Sequence, residues 1–246
     1  MALFDNRIAG KRVLLTGGGS GIGRAIAVKL IEAGAKVAIL GRNRERLNET
    51  AQQTGGQAIV HVCDATVLEQ VATTVAAVEK AFGGIDILIN NAGMNLKERY
   101  IRNLTAEGWK QTIQGNLDSA FYLISAVVPG MIKQASGHII NISSVSGKRA
   151  NKLGGTAYAA AKFGLTALSH AVGLEEAEAG IRTTAICPGE VDTPILEQRP
   201  SPVSAERRAV ILRPEDVAEA VYYVANLRPG VSVPEMIITP TVQPYA

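Results

Sequence analysis

With 246 residues, 47% of them apolar and 19% charged, the chain has the material for one packed α/β domain and not the composition of a disordered polymer. Its 25 Lys and Arg against 22 Asp and Glu leave a net +3, and the cations are scattered, which disfavours a nucleic-acid partner. Charges at Asp5, Arg7, Lys11 and Arg12 break the start before a secretory core forms, no apolar run approaches the ~18 residues of a membrane span, and Cys63 and Cys187 sit singly in apolar stretches, so a soluble cytoplasmic protein without disulfides or a membrane partner is expected.

Short runs rich in Val and Ile alternate with helix-length stretches of three-to-four apolar spacing, the pattern of a parallel sheet covered on both faces. In chain order, strands are predicted at 12–16, 36–40, 57–62, 85–90, 137–143, 181–187 and 235–239. Helices are predicted at 22–33, 43–53, 67–82, 105–132, 157–179 and 214–225, the last opened by Pro214 with Glu215 and Asp216 behind it. The fold class is therefore α/β, a doubly wound (Rossmann) sheet in one domain over 1–246. The stretch 193–213 breaks the alternation, carrying Pro194, Pro200, Pro202, Arg199, Arg207 and Arg208 among few large apolar residues. It reads equally as a lid over a substrate site and as a surface linker.

Directly after the first strand comes Thr16-Gly17-Gly18-Gly19-Ser20-Gly21-Ile22-Gly23, opening a helix. Glycines let a backbone approach a pyrophosphate without a Cβ in the way, and the helix start offers unpaired N–H groups and a positive dipole end. At the end of the second strand, where an acid would hold a ribose 2′-hydroxyl, the chain reads Leu40-Gly41-Arg42-Asn43-Arg44. Arg42 can pair with a 2′-phosphate and Gly41 leaves it room, which favours NADP(H) over NAD(H); the alternative makes Arg42 and Arg44 solvated charges at a helix start.

The fifth strand ends in Asn141-Ile142-Ser143-Ser144-Val145-Ser146-Gly147, and the next helix carries Tyr158 and Lys162. An i, i+4 pair projects from one helix face, and a nearby ammonium is expected to lower a phenol pKa of about 10 toward proton exchange with an alcohol or carbonyl oxygen. Alternation along the strand sends Ser143 away if Ser144 faces the pocket. His61, His138 and His170 lack ligand spacing, so no metal site is supported, and His138 reads as a strand residue.

Thr-Gly-x-x-x-Gly-x-Gly, Asn90-Asn91-Ala92-Gly93, a strand-end Ser and Tyr-x-x-x-Lys follow one another in the order that resembles the short-chain dehydrogenase/reductase family, over nearly the whole chain and least at 193–213 and after 226. The resemblance implies that Gly17, Gly19, Ser20, Gly21, Ile22 and Gly23 cradle the cofactor phosphates. It sets Asp64 and Ala65 near the adenine, and Asn91, Ala92 and Gly93 along the cofactor. In Pro188-Gly189-Glu190-Val191-Asp192-Thr193, it assigns Pro188, Gly189, Val191 and Thr193 to the nicotinamide carboxamide. Tyr158 would be the general acid/base, Lys162 would tune it and bind the nicotinamide ribose, Ser144 would hydrogen-bond the reacting oxygen, and Asn116 would hold a relay water.

The resemblance further implies an NADP(H)-dependent oxidoreductase interconverting an alcohol and a ketone or aldehyde, and a homotetramer built through the helices around 105–132 and 157–179 and the chain end. Met94, Asn95, Leu96, Val145, Ser146, Lys152, Glu190 and 193–213 would line the substrate pocket. Arg199, Arg207 and Arg208 hint at a 3-oxo acid or acyl thioester unless they are simply solvated, and the end from Ile237 to Gln243 resembles members acting on small hydroxy acids. Two departures stand out: Ser144 and Tyr158 are one residue further apart than is usual in the family, and Gly115 replaces a bulkier residue, which is expected to loosen its helical turn. The rival readings are a non-catalytic NADP(H)-binding sensor or scaffold and an epimerase or dehydratase.

Overall fold

Val13, Leu14 and Leu15, like Val37, Ala38 and Ile39, are apolar at every position rather than every second one, which demands cover on both faces of their sheet. The computed structural model, which describes residues 6–243, supplies it. Seven strands, β1 (Arg12–Thr16), β2 (Lys36–Gly41), β3 (Ile59–Val62), β4 (Ile87–Asn90), β5 (Gly137–Ile142), β6 (Ile181–Pro188) and β7 (Glu235–Ile238), pair in the order β3-β2-β1-β4-β5-β6-β7, every pair parallel. Helices α1 (Gly21–Glu32), α2 (Arg44–Gln53), α3 (Leu68–Phe82), α4 (Ala106–Ile113), α5 (Ser119–Gln134), α6 (Thr156–Glu175), α7 (Ala205–Arg208) and α8 (Pro214–Ala225) connect them.

The strand period of two divides the core. Val13, Leu15, Val37 and Ile39 face Ile26 and Leu30 of α1 and Val217 and Val221 of α8, while Leu14, Ala38 and Leu88 face Val71 and Val75 of α3 and Leu123, Val127 and Met131 of α5. The order reverses between β1 and β4, and in open α/β sheets that reversal leaves a crevice beyond the carboxyl strand ends. Thr16 Oγ1 fixes the crevice floor by accepting from the backbone N–H groups of both Asn91 and Ala92, each at 2.9 Å.

Element boundaries depart from expectation in a few places. The helix expected at 105–132 is α4 and α5 joined by a π-helical turn, Gln114–Asp118, and it runs on to Gln134. Asn116 sits in that turn, its Nδ2 donating to Thr112 O (2.8 Å) and to Met94 O (2.9 Å), so the turn widens around a side chain held to the neighbouring loop. β3 begins at Ile59 rather than 57, and α6 ends at Glu175 rather than 179. The 193–213 segment contains a 3₁₀ turn, Pro194–Gln198, and α7, and its base is closed by a bridge between Val191 and Leu212, with Asp192 N donating to Leu212 O (2.8 Å) and Leu212 N to Glu190 O (3.0 Å). His138 is buried in β5 against Thr184 Oγ1 (2.9 Å), and burial holds its imidazole well below the usual range. Cys63 and Cys187 are buried free thiols, pushed up by burial.

Candidate active site

The crevice opens into a cavity of about 1200 Å³, larger than the roughly 300–1,000 Å³ usual for a small-molecule site. At the end near β1 and β2, Gly17 and Gly21 take φ values of +67° and +49°, which only glycine adopts without strain. Gly23 does not line the cavity; a Cβ there would overlap the Gly17 carbonyl oxygen and lie 2.6 Å from Asn91 Nδ2, so its bare backbone lets α1 close onto β1. Ser20, the N-cap of α1, makes no side-chain capping bond and no acid stands in the first turn, leaving the helix N–H groups open to the cavity. Gly17, Gly19, Ser20, Gly21, Ile22, Asp64, Ala65, Asn91, Ala92, Gly93, Pro188, Gly189, Val191 and Thr193 all line it, as does exposed Arg42.

Four residues farther along α2, Arg46 lines the same wall, its Cβ 3.1 Å from where a Gly19 Cβ would sit. Sequence reasoning passed over it, although its spacing from Arg42 was a usable signal. Neither arginine has an ion-pair partner among the described residues.

Two strands from β1, at the β5 end, Ser144, Tyr158 and Lys162 converge. Ser143 is turned toward α6, bonded to Thr166 Oγ1 (2.8 Å) and Lys162 O (3.1 Å), whereas half-buried Ser144 stands beside the Tyr158 phenol. Buried Lys162 donates to Ile142 O (2.8 Å) with its Nζ 5.7 Å from the Tyr158 ring centroid. A Cβ on Gly93 would lie 2.9 Å from Asn116 Oδ1 and 3.5 Å from Lys162 Nζ, so this glycine marks where the two meet.

The expected lowering of the phenol by Lys162 is not what the environment produces. Burial raises Tyr158 above its usual value, against the pull of the Ser144 hydroxyl and Arg99, and Lys162 itself is lowered by burial to about 8. The ammonium is spent on a neutral carbonyl, and desolvation outweighs it.

Met94, Asn95, Leu96, Val145, Ser146 and Glu190 line the cavity as expected, but exposed Lys152 does not; it leans over the Tyr100 ring at 6.0 Å while Asn151 and Leu153 on either side face in. Of 193–213, residues 193–196, 198 and 199 contribute lining. Arg199, Arg207 and Arg208 are each engaged by a carboxylate rather than free for a substrate. Arg207 grips Glu190 through two bonds (2.9 and 3.1 Å), Arg199 lies 3.6 Å from the same carboxylate, and Arg208 pairs with Asp192. Glu190 is held below the usual carboxylate range by Arg207, against desolvation. Gly115 leaves room for Met94, whose Cγ would be 2.9 Å from a Cβ there. Arg99 and Gln243 also line the cavity and were not assigned to it; Arg99 arrives from a loop with no local motif to announce it, whereas Gln243 closes the Ile237 to Gln243 stretch that the resemblance marked.

A family model described as short chain dehydrogenase matches residues 11–203. The chain belongs to the short-chain dehydrogenase family. It is similar to an uncharacterized oxidoreductase of Staphylococcus epidermidis, 38% identical over 95% of this chain and 99% of that protein. Among solved structures of the same fold, it resembles a serine dehydrogenase complexed with NADP+ (32% identity, TM-score 0.88, 95% and 96% of the two chains covered). It also resembles a 3-ketoacyl-(acyl-carrier-protein) reductase from Brucella melitensis complexed with NADH (25% identity, TM-score 0.86, 94% and 98% covered). This short-chain dehydrogenase is an oxidoreductase by family, acting on small molecules. Among its described residues no helix is long and apolar enough to cross a membrane.

Proposed function

We propose that this short-chain dehydrogenase interconverts an alcohol and a ketone or aldehyde with NADP(H), using Tyr158 as general acid and base. The carrying observation is the convergence of the Ser144 hydroxyl, Tyr158 phenol and Lys162 ammonium on one cavity with a glycine cradle at its far end. That cradle, the uncapped start of α1 and the cavity's size fit a dinucleotide. When bound, the nicotinamide supplies or accepts the hydride at the substrate carbon.

The protein's own residues handle the oxygen. In reduction, Ser144 donates a hydrogen bond to the carbonyl oxygen and Tyr158 passes its proton to the same oxygen as negative charge develops there. Lys162 holds positive charge behind the phenol, and Asn116, its Nδ2 committed to Met94 O and Thr112 O and its Oδ1 accepting from Met94 N (3.2 Å), keeps the second lone pair of Oδ1 toward Gly93 for a water that restores the Tyr158 proton. Pro188, Gly189, Val191 and Thr193, which line the cavity, would hold the carboxamide end, and Asp64 with Ala65 would hold the adenine end. Exposed Trp109, Phe121 and Phe163 on α4, α5 and α6 support self-association into the tetramer.

The unpaired cations Arg42 and Arg46 support the NADP(H) preference, because a 2′-phosphate would give both a partner. Fluorescence titration is expected to show tighter binding of NADPH than of NADH, with Arg42→Asp weakening NADPH by about 10- to 100-fold, as a charge-assisted bond of about 1.5–3 kcal/mol requires, and sparing NADH. Equal affinity of the unaltered protein for the two would overturn the cofactor choice. The reaction itself is tested by following NADPH oxidation with a panel of ketones, aldehydes and β-keto esters; cofactor binding without turnover of any of them would favour the sensor.

A further inference from the structure

Five cationic side chains line the cavity, Arg42, Arg46, Arg99, Lys162 and Arg199, against two carboxylates, Asp64 and Glu190. Arg42 and Arg46 flank the glycine cradle, Lys162 stands behind Tyr158, and Arg199 leans on Glu190. Arg99 is the cation left over, and it is buried, at 5% exposure.

Its surroundings are unusual for a buried guanidinium. Nε donates to Leu96 O (2.5 Å), one terminal nitrogen to Leu153 O (3.1 Å) and the other to Gln198 O, so it ties together the loop after β4, the loop before α6 and the 3₁₀ turn of the 193–213 segment. All three acceptors are neutral carbonyls, and no carboxylate pairs with it among the described residues. Glu190, the acid of the substrate end, is already taken by Arg207 and Arg199. Burying a charge without a counter-ion is costly, and a neutral amide could have bridged carbonyls at less expense. Two of the five guanidinium hydrogens remain after the three bonds. Arg99 also sits over the start of the helix that carries Tyr158 and Lys162: its carbonyl accepts from Thr156 N (3.2 Å), and a Cβ on Gly155 would lie 2.8 Å from its Cγ.

We propose that Arg99 is the specificity-determining residue of the substrate site, and that the molecule turned over carries a carboxylate whose charge completes the one Arg99 lacks. The carboxylate is argued from the charges around Arg99; the reacting carbon beside it rests on the oxidoreductase reading above. Burial lowers Arg99 below the usual arginine range and the neighbouring Arg199 adds to this, a strain that an entering anion relieves.

The test compares 3-hydroxybutyrate with its methyl ester as substrates for NADP+ reduction, and acetoacetate with methyl acetoacetate as ligands titrated into the enzyme–NADP+ complex, where no turnover occurs. The acid is expected to exceed the ester by about 10- to 100-fold in kcat/KM and in affinity, the range of a bond between charged groups. Arg99→Gln should lower the acid far more than the ester and so erase that ratio, while changing the NADPH affinity by less than about threefold, and Arg99→Lys, which keeps the charge without the fork, should retain part of it. Equal handling of acid and ester by the unaltered enzyme, including binding of neither, overturns the proposal. So does an equal loss for both in Arg99→Gln, which would make Arg99 a tie between loops only. If that variant does not fold, the unaltered ratio and Arg99→Lys decide. Preferential binding of acetoacetate without turnover of any alcohol or carbonyl would sink the oxidoreductase reading and leave the anion recognition standing.

Discussion

Tyr158→Phe is expected to lower carbonyl reduction by about 10²–10⁴-fold while leaving NADPH affinity within about threefold, because it removes one proton donor and no bulk. The phenol lies beside Ser144 with Lys162 behind it, so phenylalanine fills the same space without an exchangeable proton. Its direction of titration adds a pH signature. Burial raises Tyr158 above the ordinary phenol value, so at neutral pH it holds its proton, the form that reduction needs. Reduction should therefore be flat from pH 6 to 7, below the titration of Lys162 at about 8, and alcohol oxidation, which needs the phenolate, should climb with pH. Stopped-flow measurement of the chemical step in both directions checks this; wild-type rates in Tyr158→Phe would end the assignment.

Lys162→Met is expected to slow turnover and, at pH 7, to stabilise the fold. Lys162 is buried with a neutral carbonyl, Ile142 O, as its hydrogen-bond partner, and burial takes it from 10.5 to about 8. At 1.36 kcal/mol per unit that depression is a penalty of about 3 kcal/mol on the charged form, partly offset by a hydrogen bond worth about 1 kcal/mol. The sign follows from proton counting. Below pH 8 the lysine is protonated both folded and unfolded, and the native state bears the whole penalty; between 8 and 10.5 the unfolded chain binds more protons, so rising pH relieves it. The variant's advantage, about 2 kcal/mol at pH 7, should shrink as pH climbs toward 10, read by urea denaturation of the cofactor-free protein. A variant less stable at pH 7 would show that Lys162 is better accommodated than its burial implies.

What could be read from the chain beforehand was whatever is written in consecutive residues. The glycine run after β1, the Asn-Asn-Ala-Gly turn after β4 and the four-residue step from Tyr158 to Lys162 are local, and strand periodicity alone divided Leu14 from Val13 and Leu15. Arg99 was invisible because its three acceptors come from 3, 54 and 99 residues away. Arg199, Arg207 and Arg208 were misjudged for the same reason: Arg207 and Arg208 reach partners 17 and 16 residues back, at Glu190 and Asp192, which only the folding of the segment onto its own base brings near. The Tyr158 phenol moved opposite to expectation because proximity of Lys162 can be read from spacing, whereas desolvation depends on everything packed around both.

The pairing of Val191 with Leu212 gives the intervening stretch a sealed neck. Such a stretch can vary in sequence while the bridge keeps its two ends together between β6 and α8. Variation there would diversify which molecules are accepted while the hydride chemistry beneath runs unchanged, and a library confined to 194–210 is a direct route to altered selectivity.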